Sequence, residues 1–368
     1  MKKLLFLLPA AALALASCSN DQVVEQPTKV ISAEALQIYP ELQGITRGTV
    51  WDNSNFTQFK LTTSGNFQTE ASTTNAAGGA PLTDVTVTKT GGTWAIGSTT
   101  YYWPSKTATS SFTAWAPTDI NKGSYTASTT IADQKDIVVA FNSGSATDFE
   151  AGVPLKFRHI LSQIVIKADN EAKNDVQIIV KGIRVNNVST TGTWDLPEAS
   201  TVSSLGYSPW TSVGTSGDYT ATLSSNITLT DGAAIDITGD APLLLIPQQL
   251  GAATIAAGTG QYLSVLVNIK DLKTEDATKI AIFPKADAYD ADKYAWAAVD
   301  VNTLWEPGKK YIYTLHFTKN GYGKVDGDTT GGEEPGVTPG QDVVDTPVQL
   351  IFDVDVVDWT EAPSEHNL

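Results

Sequence analysis

The chain has 368 residues, a formal net charge of −16 at pH 7 and a single cysteine. Such an acidic surface argues against nucleic acid as a partner and against direct attraction to anionic headgroups. One thiol cannot form an internal disulfide, so the fold depends on its apolar core. The abundance of Thr, Ser, Gly, Val and aromatic residues favours an all-β class, and the length suffices for two ordinary domains or one large β domain.

Residues 1–17 have the features of a bacterial secretory signal peptide. Lys2 and Lys3 precede an apolar run from Leu4 to Leu15 that is too short to span a bilayer. Small residues stand directly before Cys18, an arrangement that resembles the lipobox of lipoprotein precursors. We therefore expect lipid on Cys18, which would hold the precursor on a membrane. An ordinary signal peptide with an incidental cysteine is the alternative.

Residues 18–47 form the next segment, in which a polar tether leads to a short apolar stretch. Val30 to Tyr39 fits either a strand or a short helix, because its periodicity does not decide between them. Arg47 lies between small and flexible residues and is followed by Gly48. This setting suits a protease cleavage site, although a solvated arginine in an interdomain turn fits equally well.

Alternating apolar residues between turn signals predict two β-sandwiches in tandem, over residues 48–152 and 153–320. Phe157 to Ile166 is apolar on both faces towards its end, which predicts one central buried strand. Val176, Ile178 and Val180 alternate, and the phase changes after Gly182, which indicates a β-bulge. The tryptophans are expected to serve mainly as core and edge packing.

Residues 321–347 are rich in Gly, Asp, Thr and Pro, a composition typical of a flexible acidic linker. Residues 348–368 contain one more amphipathic strand. Its apolar face consists of Leu350, Phe352, Val354 and Val356. A single strand is not stable alone, so it must join either its own second sandwich or the sheet of a neighbouring molecule. The length of the preceding linker, residues 321–347, leaves both options open.

Catalytic and metal-binding patterns are scarce, and we predict no catalytic residue, no metal and no cofactor. His159, His316 and His366 lack metal-ligand spacing. Asp287, Asp290 and Asp292 do not match a calcium-binding loop and are interpreted as a solvated acidic loop. Paired carboxylates of a glycoside hydrolase need only spatial proximity, so a hydrolase is a third and weaker hypothesis.

Several patches, in this order, resemble the fimbrillins, the subunits of type V pili, in their minor-fimbrillin-like branch. The patches are the lipobox at Cys18, Thr46-Arg47-Gly48, Phe112 to Pro117, Leu155 to Ser162, Leu245 to Gln248, Trp305 to Tyr313, and Val354 to Trp359. The resemblance covers most of the chain from about Thr46 to Trp359. The long acidic segment before the last strand departs from the family pattern.

This resemblance implies two transthyretin-like β-sandwich domains and export as an outer-membrane lipoprotein anchored through Cys18. It also implies cleavage after Arg47 by an arginine-specific protease, followed by polymerisation with other fimbrial subunits at the cell surface. Polymerisation would proceed by strand exchange, with a donor strand that carries Leu350, Phe352, Val354, Val356 and Trp359. A carbohydrate-binding surface lipoprotein is the main alternative, and a fimbrial anchor that is not cleaved is another.

Overall fold

The computed structural model describes residues 34–42, 55–69, 79–196, 209–239, 241, 243–318, 321–344 and 351–358. Regular structure in these residues consists almost entirely of strands. The helical elements described are short 3-10 turns at Ile131–Asp133, Ile255–Ala257 and Ala277–Lys279. The predicted all-β class is therefore confirmed. Among the described residues, no helix is long and apolar enough to cross a membrane.

The N-terminal part of the described chain forms one seven-stranded sheet. In spatial order its strands are β1 (Ile38–Leu42), β8 (Val153–His159), β7 (Val138–Gly144), β5 (Ser110–Ala116), β2 (Gln58–Thr63), β3 (Val85–Thr90) and β4 (Thr93–Ala95). Strand β1 runs parallel to β8, whereas the other neighbours are antiparallel. The sheet covers a core that contains the buried rings of Phe59, Phe112 and Phe157.

The C-terminal part forms two sheets that share a second core. The first contains β13 (Ser216–Thr228), β10 (Val176–Ser189), β16 (Tyr262–Asp271), β18 (Ala295–Asp300) and β20 (Lys324–Val325), with β17 (Ala281–Phe283) beside β16. The second contains β14 (Ile235–Asp236), β9 (Ser162–Asn170), β19 (Lys309–Phe317) and β21 (Ile351–Asp358), with β15 (Leu243–Leu245) beside β9. Inward residues of both sheets, such as Val180, Val267 and Tyr313, belong to one apolar cluster, as in a sandwich.

A small three-stranded sheet connects the two parts. It consists of β6 (Tyr125–Thr126), β11 (Thr191–Trp194) and β12 (Trp210–Val213). Trp115 and Val139, from strands of the seven-stranded sheet, also belong to the second core. The two parts therefore share packing as well as chain connections.

The predicted division at residue 152/153 is wrong by one strand. Strand β8 pairs with β7 and β1 in the seven-stranded sheet, and its Val153, Leu155 and Phe157 lie in the first core. The expected single strand from Phe157 to Ile166 is wrong for the same reason, because β8 ends at His159 and β9 begins in another sheet. Burial alternates along β8, where Lys156 is exposed, whereas β9 is buried on both faces. The buried residues Ile160 and Leu161 lie between the two strands, so no polar turn signal marks the break.

The predicted β-bulge at Gly182 is confirmed. The pairing of β10 with both β13 and β16 changes register between Val180 and Gly182. A β-carbon on Gly182 would lie 2.5 Å from the backbone oxygen of Ala221, so the close approach of the neighbouring strand requires glycine there.

Residues 321–344 do not form the flexible linker that their composition predicted. Strand β20 pairs with β18, and Tyr322, Val325 and Val343 are buried. The segment is also fixed by backbone hydrogen bonds, including those from Val343 N–H to Gly323 O and from Val325 N–H to Gln341 O. It is therefore a packed part of the second sandwich.

A buried arginine explains why so polar a segment can pack. Arg184 on β10 donates to the carboxylate of Asp326 at 2.9 Å and lies 3.0 Å from that of Asp328. It also donates to the backbone oxygens of Asp328 and Thr330. Only 3% of its side chain and 1% of that of Asp326 are exposed, and its guanidinium lies over the Trp296 ring. Buried charges are tolerated when they are paired in this way.

The same cluster changes the titration of its neighbours. Burial, followed by the adjacent Asp326 carboxylate, raises the pKa of Tyr262 well above its ordinary value. For Asp328, partial burial alone would raise the pKa, but hydrogen bonds from Thr330 and the charge of Arg184 lower it. The cluster therefore favours an ionised Asp328 and a neutral Tyr262 over the physiological range.

Candidate functional site: the terminal strands

Strand β1 occupies the edge of the seven-stranded sheet beside β8. The register pairs Ile38 with Val153, Pro40 with Leu155 and Leu42 with Phe157. Ile38 is buried in the first core, while Leu36 and Leu42 pack against it from positions that are partly buried. The sequence leaves a strand or a helix open for Val30 to Tyr39. Residues 30–33 lie outside the described residues, and the end of this stretch belongs to β1.

The residues just before β1 pair with the opposite side of this core. Leu36 N–H donates to Tyr101 O at 2.7 Å, and Trp103 N–H donates to Glu34 O at 3.1 Å. Glu34 also forms an ion pair with Lys106. Residues 34–42 thus fill the space between β8 and residues 101–103, and they hydrogen-bond to both sides.

Pro40 makes β1 an unfavourable partner for any further strand. Val153 N–H donates to Gln37 O, so alternation along a parallel ladder directs the backbone groups of Tyr39 and Glu41 towards β8. The nitrogen of Pro40 then faces the outer edge, where it has no hydrogen to donate. Without β1, the edge groups of β8 and the pocket of Ile38 would both be open for a new strand.

The C-terminal strand β21 pairs with its own chain. It runs antiparallel to β19, from Lys309 opposite Asp358 to His316 opposite Ile351. Phe352 and Val354 pack partly buried against the second core, and the Phe352 ring lies 6.1 Å from that of Tyr313. Val356, predicted for the same apolar face, is 49% exposed.

Strand β21 lies at the edge of its sheet. It has one neighbouring strand in the described part of the chain, namely β19. Ion pairs lie near both ends: Lys309 pairs with Asp358, and His316 Nε2 lies 3.5 Å from Asp353 Oδ2. The arrangement combines a half-buried apolar face with exposed charges, which suits a strand that can leave its sheet.

His316 is surrounded by carboxylates, and we call Asp169, Glu171, His316 and Asp353 the His316 cluster. Its Nδ1 lies 3.0 Å and 3.1 Å from the two oxygens of Asp169. Ligand atoms of Asp169, Glu171 and His316 lie within 4.8 Å of one another, close enough for a metal ion to contact all three. Both ring nitrogens, however, already face carboxylates, so we interpret the group as ion-paired.

Several predicted site residues lie outside the described residues. These are the lipidation site Cys18, the processing site Arg47 and Gly48, and the donor positions Leu350 and Trp359. His366 also lies outside them. His159 forms a buried pair with Asp136 at 2.8 Å, which agrees with a packing role. Of the described tryptophans, five are buried and two are partly buried, which agrees with their expected role in packing.

Sequence reasoning missed two features of this region. The first is the ion pair between Asp353 and His316. The two residues are 37 positions apart in the chain, and no local pattern indicates their contact. The role of Pro40 was visible in principle, because a proline within an apolar stretch is typical of an edge strand. The strand itself had to be located before that signal could be used.

Comparison with known proteins points to one family. A sequence model described as fimbrillin-like matches residues 46–331, so neither terminal strand lies in the match. No curated protein matches the chain. A solved fimbrial protein from Bacteroides vulgatus is similar with 14% identity and a TM-score of 0.50, over 89% of this chain and 99% of that one. A candidate cell adhesion protein from Bacteroides ovatus aligns with 12% identity and a TM-score of 0.45, over 90% and 99%.

Proposed function

The chain belongs to the fimbrillin-like family, and on this premise we propose that it is a structural and adhesive subunit of a cell-surface fimbria that assembles by strand exchange. In this proposal the precursor is exported to the outer membrane and lipidated at Cys18. An arginine-specific protease then cleaves after Arg47. The processed subunit joins other fimbrial subunits.

One observation carries the proposal: the strand that fills the edge of β8 lies entirely before Arg47. Cleavage after Arg47 separates residues 34–42 from the rest of the chain by a cut in the backbone. Once β1 leaves, β8 becomes an edge strand with unpaired backbone groups beside an empty apolar pocket. A strand from another subunit can pair there, which is a known mode of recognition between sheets and extended segments.

The other arginines support Arg47 as the site of cleavage. The chain has three arginines, and the remaining two lie in β8 and β10. Arg158 is in a strand with neighbours on both sides, and Arg184 is buried in an ion pair. A protease needs an extended segment that can enter its cleft, and strands inside a sheet do not offer one.

Strand β21 is the proposed donor. Its described inward residues, Phe352 and Val354, are two positions apart, as are Leu36 and Ile38, which pack in the first core beside β8. Pairing of one subunit's β21 with the next subunit's β8 is a head-to-tail contact, which extends as a filament instead of closing on itself. In the single chain β21 pairs with β19, so donation requires it to leave that position first.

Substitution of Arg47 tests the proposal. We expect Arg47→Ala to remain a full-length lipidated precursor without fimbriae, whereas the native chain yields surface subunits that begin at Gly48. The measurements are N-terminal sequencing of sheared surface material and electron microscopy of the cells. Arg158→Lys serves as the control and should be processed normally.

The alternatives give different results in the same experiment. A carbohydrate-binding lipoprotein would bind its glycan equally well with and without the Arg47→Ala change. A fimbrial anchor would keep lipidated Cys18 on the surface-displayed native protein. Either result would contradict the proposed role as a processed subunit.

A further inference from the structure

We propose that protonation of His316 strengthens the docking of β21 on β19, so that the C-terminal strand is held more firmly in mildly acidic than in mildly alkaline solution. The pH dependence of docking is a property of the folded monomer. Its consequence for assembly rests on the proposed function, because a strand that is donated to a neighbour must first leave its own sheet.

The His316 ring lies between two carboxylates, one on each side. Asp169 of β9 faces Nδ1 at 3.0 Å, and Asp353 of β21 faces Nε2 at 3.5 Å. A neutral imidazole carries one N–H, whereas the imidazolium carries two. Only the protonated ring can therefore interact favourably with both carboxylates at once.

Loss of the proton affects the two carboxylates unequally. The Asp169 side chain is only 10% exposed and lies closer to the ring, so the remaining N–H is best used at Nδ1. Nε2 then presents its lone pair to Asp353, and the attraction between β19 and β21 at this point is lost. Asp169 stays beside His316 whether or not β21 is docked, because β9 pairs with β19 along its length. The contact that changes is the one to the C-terminal strand.

The other charged groups near the ring are mostly carboxylates. Glu171, just after β9, lies 3.9 Å from Nδ1. On the same face of the sheet the register places Lys167 opposite Thr314, Asp355 opposite Ile312 and Lys310 opposite Gln163. Asp236 of β14 is the register partner of Lys167. The two lysines are thus further along the strands, and the charged groups in contact with the ring are carboxylates.

The expected effect is modest, because Asp353 is 81% exposed and water screens its interaction. Exposed ion pairs of this kind change an equilibrium by about threefold. Docking of β21 should therefore be about threefold less favourable once His316 is neutral. The apolar contacts of Phe352 and Val354 are unaffected by pH and keep the strand populated in its docked position.

Hydrogen exchange of the β21 amides tests the inference in the folded monomer. Exchange is measured at about pH 5.5 and about pH 8, on either side of the ordinary histidine pKa, with a chelator present so that no divalent cation takes the place of the proton. His316→Gln provides the reference, because glutamine does not titrate. At each pH the ratio of rates between the variant and the native chain removes the intrinsic pH dependence of exchange.

We expect β21 to exchange about threefold faster in His316→Gln than in the native chain at the lower pH, and equally fast at the higher pH. Asp353→Asn should reproduce this difference. Asp355→Asn, on the same strand and face but opposite Ile312, should leave the pH dependence unchanged. The inference would be overturned if the ratio of exchange rates between His316→Gln and the native chain were the same at both pH values. It would also be overturned if Asp355→Asn changed the pH dependence as much as Asp353→Asn does.

A filament assay separates this inference from the proposed function. If exchange follows the expected pattern but no filaments form from processed subunits at either pH, the fimbrial role fails and the effect of His316 on docking stands. If filaments form but β21 exchange shows no dependence on His316, the inference fails and the fimbrial role stands.

Discussion

Replacing Arg184 by methionine is expected to lower the free energy of unfolding by about 3–5 kcal/mol. The change leaves the Asp326 carboxylate buried without its cation, although Tyr262 and Ser264 still donate to it. It also removes the donor to the backbone oxygens of Asp328 and Thr330. Because these contacts fix residues 326–330, we expect this segment to lose its protection from hydrogen exchange together with the loss of stability.

Thermal and denaturant unfolding of matched variants measure this effect. Lys279→Met removes an exposed cation whose partner Asp276 is 45% exposed, and it should cost less than about 1 kcal/mol. The double variant Arg184→Met/Asp326→Asn removes both buried charges, so it should recover part of the stability lost in Arg184→Met. If Arg184→Met is no more harmful than Lys279→Met, residues 321–344 are not held by this cluster.

Removal of residues 348–368 from the processed subunit is expected to abolish filament growth while leaving a folded monomer. The described part of β21 buries Phe352 and Val354 only partly, and its loss should cost about 2 kcal/mol. That is less than the total stability of an ordinary domain. The truncated subunit still has the open edge of β8, so it should accept a strand but cannot donate one.

A mixing experiment makes this asymmetry measurable. Added to native subunits, the truncated subunit should shorten filaments in proportion to its share, because each copy ends the chain that it joins. Deletion of Glu361 to Leu368 alone retains every predicted donor residue and serves as the control, with filaments of normal length. If the truncated subunit polymerises like the native one, the donor lies elsewhere. If it fails to fold, β21 is an essential part of its own sandwich.

Local sequence patterns predicted much of the architecture. Alternation in Val176 to Val180 and the change of phase after Gly182 predicted both the strand β10 and its bulge, because side chains of a strand alternate between faces. The same reasoning predicted the last strand from Phe352 and Val354. The family followed from the order of several short patches rather than from any single motif, and the match over residues 46–331 confirms it.

Composition misled where a distant residue compensates for polarity. Residues 321–344 have the Gly, Asp and Thr content of a linker, but Arg184, 142 positions away from Asp326, pairs with their carboxylates. A prediction from the composition of one segment assumes that its polar groups stay in water. It cannot include a positive charge that another strand supplies to pair with buried carboxylates. The boundary between β8 and β9 has no local signal, because the residues that connect the two strands, Ile160 and Leu161, are apolar and buried.

The sequence by itself determined the all-β class and the last strand, because both follow from apolar residues that alternate with a spacing of two. It left a strand or a helix open before β1, and processing at Arg47 stays a prediction. Only the tertiary structure decided which edge each terminal strand occupies. Pairing of β1 with β8 and of β21 with β19 joins segments far apart in the chain. An alternating strand fits any edge with a complementary apolar face, so register and partner are decided by the packing of the whole sheet.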